Sequence, residues 1–216
     1  LAPNLGFVLA PIMAIAAVKY QSWRGIVVIL GVASLAVGGL YARFGRGGGF
    51  AGEAPRLEML RILMKDPAFW IMTLLFSLAI GSSMGVYTII PVYLVSERGM
   101  DQEWVNTLVA FSRVVALITG FAAGVAVDRL GKKLAMGGIL LATGIMTMLL
   151  GLAPDSWVTL IVFLQPVVAV CFFPAGFAAL SHISPPNLRG VIVALIVPVA
   201  ILFGAGAIPA LLGLLH

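Results

Sequence analysis

Long apolar runs separated by short polar turns fill almost the whole chain. They cover 5–18, 25–41, 69–95, 104–127, 134–153, 157–180 and 191–215. A hydrocarbon core about 30 Å thick is crossed by about 20 helical residues, so only the first run is short. The runs are continuous, whereas strands of a membrane barrel alternate over about 10 residues. The pattern predicts an all-α polytopic membrane helix bundle with seven transmembrane helices. Trp23, Trp70, Trp104 and Trp157 each fall within two residues of a predicted span end, and Tyr41 and Tyr93 lie near others. Aromatic rings favour the headgroup level, so these positions support the same boundaries.

Composition narrows the function classes. The chain is 62% hydrophobic and only 10% charged, against about 25% charged in soluble domains, and its mean hydropathy is +1.14. An ordinary soluble enzyme, a disordered chain and a nucleic-acid-binding domain are excluded, despite a pI near 9.8. A lone cysteine, Cys171, rules out a disulfide framework or a cysteine metal cluster. With two histidines and no cluster of carboxylates, neither metal nor cofactor is expected. The chain opens with Leu1 and a short apolar run, which reads as a piece of a longer protein, and no signal-peptide pattern precedes the first run.

Basic residues orient the spans. Arg43, Arg46, Arg56, Arg61, Lys65, Arg129, Lys132, Lys133 and Arg189 occupy alternate loops, while the other loops hold only Lys19, Arg24 and Arg98. Acidic residues are shared evenly, so the richer side is predicted to be cytoplasmic. The longest polar stretch, 43–67, opens with the glycine-rich Gly45-Arg-Gly-Gly-Gly49 and continues into Leu57, Leu60, Ile62, Leu63 and Met64 among basic residues. It is expected to be a flexible joint followed by a short amphipathic helix on the membrane surface. The predicted organisation is therefore two helices in 1–42, a linker in 43–67 and a five-helix bundle in 68–216.

Between the fourth and fifth runs stands Gly124-Val-Ala-Val-Asp128-Arg129-Leu-Gly131-Lys132-Lys133. This resembles the loop signature of the major facilitator superfamily, with Ala126 where that signature has leucine. Gly6-x-x-x-Ala10-Pro11-x-x-Ala14 resembles the superfamily's fifth-helix antiporter motif with alanines for two glycines. Ser22-Trp23-Arg24 resembles the opening of its sixth helix. The resemblance implies a partial major facilitator fold, helices five to eleven, in a bacterial inner membrane. The partners it implies are a small-molecule substrate, the lipid bilayer and the missing N-terminal helices of the same chain. It also implies a gating role for Gly124, Asp128, Arg129, Gly131, Lys132 and Lys133. Asp128 would latch the start of the first run, near Pro3 and Asn4, through the positive end of a helix.

Arg113 is the one charged residue in the interior of a run, about 13 Å in from Trp104. An arginine at that depth costs about 2.5–3.5 kcal/mol unless compensated. Asn106, Arg113 and Gly120 recur at seven-residue spacing, with Ala110, Ala116 and Gly124 nearby, a face expected to look inward. Leu108, Phe111, Val115, Ile118 and Ala122 are expected to face lipid. Gln165 should share the depth of Arg113, and Ser82, Ser83, Tyr87, Thr88 and Ser112 add polar groups. An arginine in the helix that the fourth run matches resembles the oxalate/formate and monocarboxylate branches, where it binds the substrate anion.

Arg113, Gln165, Tyr87, Ser83 and Asn106 are accordingly candidate substrate-binding residues in a secondary transporter of a small anion. Two other readings stay open for this group: Arg113 bonds backbone carbonyls in a structural role, and Gln165 satisfies a helix broken at Pro166. A drug or sugar permease then becomes the alternative, and a seven-helix receptor is a further one. No phosphate-binding loop implies an ATP-driven pump. Pro91, Pro166, Pro174, Pro198 and Pro209 are expected to bend the spans.

Overall fold

A computed structural model of the chain describes residues 23–45, 57–183 and 189–214. All regular elements among these residues are helical. The predicted run at 5–18, with the antiporter-like motif and the proposed partners of Asp128, lies outside the described residues, as does most of the glycine-rich joint. Six helical segments are long and apolar enough to cross a membrane. They match the remaining six predicted runs, with every end within four residues of the predicted one.

Contacts divide the chain into two compact units, 2–54 and 55–216. In the first, helix α1 (Trp23–Phe44) is described, and its apolar side chains from Val27 to Phe44 are exposed. In the second, α2 (Leu57–Lys65) is the short helix anticipated from the basic and apolar pattern. It leads directly into α3 (Pro67–Ile80), whose start is fixed by Pro67 in the first turn and by Asp66, which accepts from the Ala68 amide at 2.9 Å. Trp70 ties the two helices together by donating its indole N–H to Met64 O at 2.8 Å.

The α3 span does not run straight through. A π-helical turn, π1 (Gly81–Gly85), separates it from α4 (Val86–Ser96). Helix α5 (Gln102–Leu130) is capped by Asp101, which accepts from the Trp104 amide at 2.9 Å. The following span is α6 (Lys132–Leu152). Next come α7 (Asp155–Val170) and α8 (Phe172–Ile183), divided at Cys171. The last span is α9 (Arg189–Ile201), a second π turn π2 (Leu202–Ala207), and α10 (Ile208–Leu214). Pro91, Pro166 and Pro198 sit within α4, α7 and α9, so the breaks fall beside the prolines rather than on them. The carbonyls that these prolines free, four residues earlier, are those of Tyr87, Val162 and Ala194, none of which lies in a break, so the prolines do not themselves place the breaks.

Helix α5 packs along α7, α9 packs along α3, and π1 meets π2. The two π turns meet backbone to backbone at Gly204. A Cβ there would stand 2.5 Å from Ser77 O and 2.7 Å from Gly81 N, so only glycine permits the approach. Apolar packing forms two clusters. One gathers Phe69, Met72, Phe76, Val127, Phe172 and Ile196 toward the basic end, with Phe76 and Phe172 edge to face. The other gathers Ile90, Leu94, Val105, Val109, Val158 and Ile161 toward the opposite end.

Leu108 belongs to this second cluster and is buried, which corrects the expectation that it faces lipid. It is four residues before Ser112 and three after Val105, hence on the core-facing stripe of α5. Phe111 and Ile118 do lie on the exposed face. The tryptophans Trp70, Trp104 and Trp157 stand at helix starts and are about half exposed, as headgroup anchors are.

Candidate functional site

A polar layer lies between the two apolar clusters. Its members, Ser83, Ser112, Arg113, Thr143 and Gln165, are all buried, and it centres on π1. Arg113 projects from α5 with its guanidinium carbon 3.4 Å from the centroid of the Tyr87 ring, a close cation–π stack. Its Nη2 donates to Ser83 O at 2.5 Å. From α7, Gln165 donates Nε2 to Ser82 O at 2.8 Å and, at 3.4 Å, toward Thr147 Oγ1 of α6. Two buried donors from different helices therefore end on neighbouring carbonyls of one widened turn. A π turn spreads the backbone ladder, and a side-chain donor can then reach its carbonyls.

The hydroxyls of the layer are directed to backbone. Tyr87 donates to Val109 O at 2.7 Å, which also accepts from Ser112 Oγ at 2.8 Å. Ser82 donates to Ala79 O at 3.1 Å, Ser83 toward Ile80 O at 3.5 Å, and Thr88 to Gly85 O at 2.8 Å. Gln165 Oε1 is buried and accepts no hydrogen bond among the described residues. The orientation of that amide is fixed by chemistry, because turning it over would set Oε1 against Ser82 O.

The structure thus brings Arg113, Gln165, Tyr87 and Ser83 into one group, as the equal depth of the first two anticipates. Asn106 is half-buried and lies two turns along α5, about 10 Å away along the axis. Of the group, Ser83 contributes its carbonyl to Arg113, not its hydroxyl.

The predicted gating motif occupies the end of α5 and the start of α6. Gly131 joins them with φ +82° and ψ +144°, a conformation that requires glycine, and its amide bonds Val127 O at 3.0 Å. Asp128, Arg129 and Lys133 are exposed, while Lys132 and Gly124 are half-buried.

At the opposite end stands a cluster that spacing along the chain does not reveal. Arg98 pairs with Asp155, donates Nε to Tyr93 Oη at 2.8 Å, and donates Nη2 to Ala153 O at 3.2 Å. Tyr93 in turn donates to Leu150 O at 3.1 Å. The hydrogen bonds to Tyr93 and Asp155 hold the Arg98 pKa above its ordinary value, so the cation persists at every physiological pH. This arginine ties the end of α4 to the turn between α6 and α7 across 57 residues of sequence.

No curated protein and no solved structure matches the chain. The family model of the Major Facilitator Superfamily matches residues 2–211, nearly its whole length. The bundle of apolar spans and the glycine-dependent turn of the loop motif agree with that match, and the chain belongs to the major facilitator superfamily, whose members are membrane transporters.

Proposed function

We propose that the protein moves a small solute by alternating access, as a secondary transporter, and that Arg113 and Gln165 hold the break in the α3–π1–α4 span. The carrying observation is the convergence of their two donors on Ser83 O and Ser82 O. A span opened at π1 and seated against another opened at π2 has bends where rocking motion can be absorbed. The acceptor left over, Gln165 Oε1, suits a solute that offers a hydroxyl or amine donor. This favours a neutral solute, as in a sugar or drug permease.

A second reading has Arg113 binding a small organic or inorganic anion, with Gln165, Tyr87, Ser83 and Asn106 around it. One observation favours it: Arg113 is the only charged side chain that is buried among the described residues.

Thermal unfolding of the purified protein in detergent separates the two. In the bracing reading Arg113→Gln lowers the midpoint with no solute present, and oxalate, formate, lactate and inorganic phosphate leave the wild-type midpoint unchanged. A carboxylate that raises the wild-type midpoint, with that rise abolished in Arg113→Gln, selects the anion reading instead. An anion at one hundred times its Kd stabilises by about 2.7 kcal/mol, well within reach of the measurement.

A further inference from the structure

A trough runs down the outside of the bundle between α5 and α6, with Cys171 at its floor. Thr119, Ala122, Ala126 and Leu130 form one wall, at helical spacing along α5, and Leu134 and Gly138 stand on the other. Its volume is about 480 Å³, and its lining is almost wholly apolar. From Thr119 to Leu130 it extends about 16 Å along the helix. That is half of a hydrocarbon core about 30 Å thick, the depth of a single leaflet. Spread over this length, 480 Å³ leaves a cross-section of about 30 Å². A slot of that width suits one extended hydrocarbon chain.

The trough ends at the basic turn of the loop motif. Arg129 lines an adjoining hollow with Ala122, Val125, Ala126 and Leu130, and Lys132 and Lys133 begin the next helix. Asp128 is the acidic residue of this turn, and by helical register it lies on the far side of α5. An apolar slot one leaflet deep, with Arg129 and Lys132 beside its surface end by helical register, matches a lipid with an apolar tail and a negative head.

We propose that this trough binds one anionic glycerophospholipid, with an acyl chain between α5 and α6 and its phosphate at Arg129 and Lys132. The site is separate from the polar layer around Arg113, so it stands whichever solute reading holds.

The test is native mass spectrometry of the purified protein from micelles holding equal amounts of palmitoyl-oleoyl phosphatidylglycerol and phosphatidylcholine. One phosphatidylglycerol should be retained about tenfold over phosphatidylcholine. Ala126→Phe adds a ring at an exposed position within the trough and should remove that adduct. Arg129→Gln with Lys132→Gln should keep a lipid but lose the preference. Cys171, the chain's one cysteine, supplies a readout on the unmutated protein. Methyl methanethiosulfonate should modify it several-fold more slowly with phosphatidylglycerol than without lipid. Equal retention of the two lipids by the wild type, an adduct untouched by Ala126→Phe, or one modification rate with and without lipid overturns the proposal. The last of these is also the result if another segment of the protein fills the trough.

Discussion

The meeting of π1 and π2 can be tested with two alanines two residues apart. At Gly204 an added Cβ lies 2.5 Å from Ser77 O and 2.7 Å from Gly81 N. Both are backbone atoms, so relief requires α3 and π2 to separate by several tenths of an ångström. At Gly206, in the same π turn, the only neighbour is Ile201 O at 4.0 Å, an ordinary contact. Overpacking of a fitted contact costs about 1–3 kcal/mol. Alanine in place of an unhindered helical glycine gains up to about 1 kcal/mol. Gly204→Ala should therefore fall about 2–4 kcal/mol below Gly206→Ala. For a chain of this size that separates their unfolding midpoints by about 4–16 °C. Detergent-solubilised protein, heated and followed by loss of helical circular dichroism, gives the comparison directly. Equal midpoints, or Gly204→Ala the more stable, would mean that the two openings do not touch.

Three further outcomes follow from named contacts. Tyr87→Phe keeps the ring over Arg113 and loses the hydroxyl's bond to Val109 O, which Ser112 still satisfies; it should cost about 0.5–1.5 kcal/mol by thermal unfolding, with Tyr87→Leu costing about 1–2 kcal/mol more because the desolvated cation loses its ring. Gly131→Ala should destabilise by about 1–3 kcal/mol, and asparagine should not rescue it, since ψ +144° lies outside the left-handed helical region that asparagine tolerates; a Gly131→Asn midpoint equal to wild type would contradict this. Asp155 is mostly exposed, so Asp155→Asn should shift the midpoint little and not at all at high salt. Arg98→Ala also releases Tyr93 Oη and Ala153 O, so its midpoint should be the lower of the two at every salt concentration.

Much of this arrangement is legible in the sequence, because a bilayer converts composition into geometry. Span ends, the tryptophans at helix starts, the short helix at 57–65 and the shared depth of Arg113 and Gln165 all follow from helical rise and apolar run length. The glycine of the loop motif is legible too, since a sharp turn between two spans needs a residue free to take positive φ. What spacing does not carry is rotation and partnership. Leu108 was assigned to the wrong face because apolar residues cover both sides of a membrane helix, leaving little moment to orient it. Likewise, the hydroxyls of Ser82, Ser83 and Thr88 are turned to their own backbone, which the sequence leaves open. Arg98 and Asp155 sit in separate loops, and only the fold brings them within bonding distance.

Whether Arg113 needs a bound anion turns on how its charge is compensated without one. The cost of a midspan arginine is about 2.5–3.5 kcal/mol on insertion scales. Against it stand a charge-assisted hydrogen bond to Ser83 O, worth about 1.5–3 kcal/mol, and a desolvated cation–π stack on Tyr87, worth about 2 kcal/mol. These terms balance within the protein alone. An anion arriving at Arg113 would therefore add to contacts already made rather than relieve an unpaired charge, so tight anion binding gains from a further cation at the site. In residues 57–183 and 189–214 the remaining basic side chains lie near the two ends of the spans. A donor-bearing neutral solute would find an acceptor in Gln165 Oε1 once the buried layer opens to admit it, without displacing a hydrogen bond from that atom.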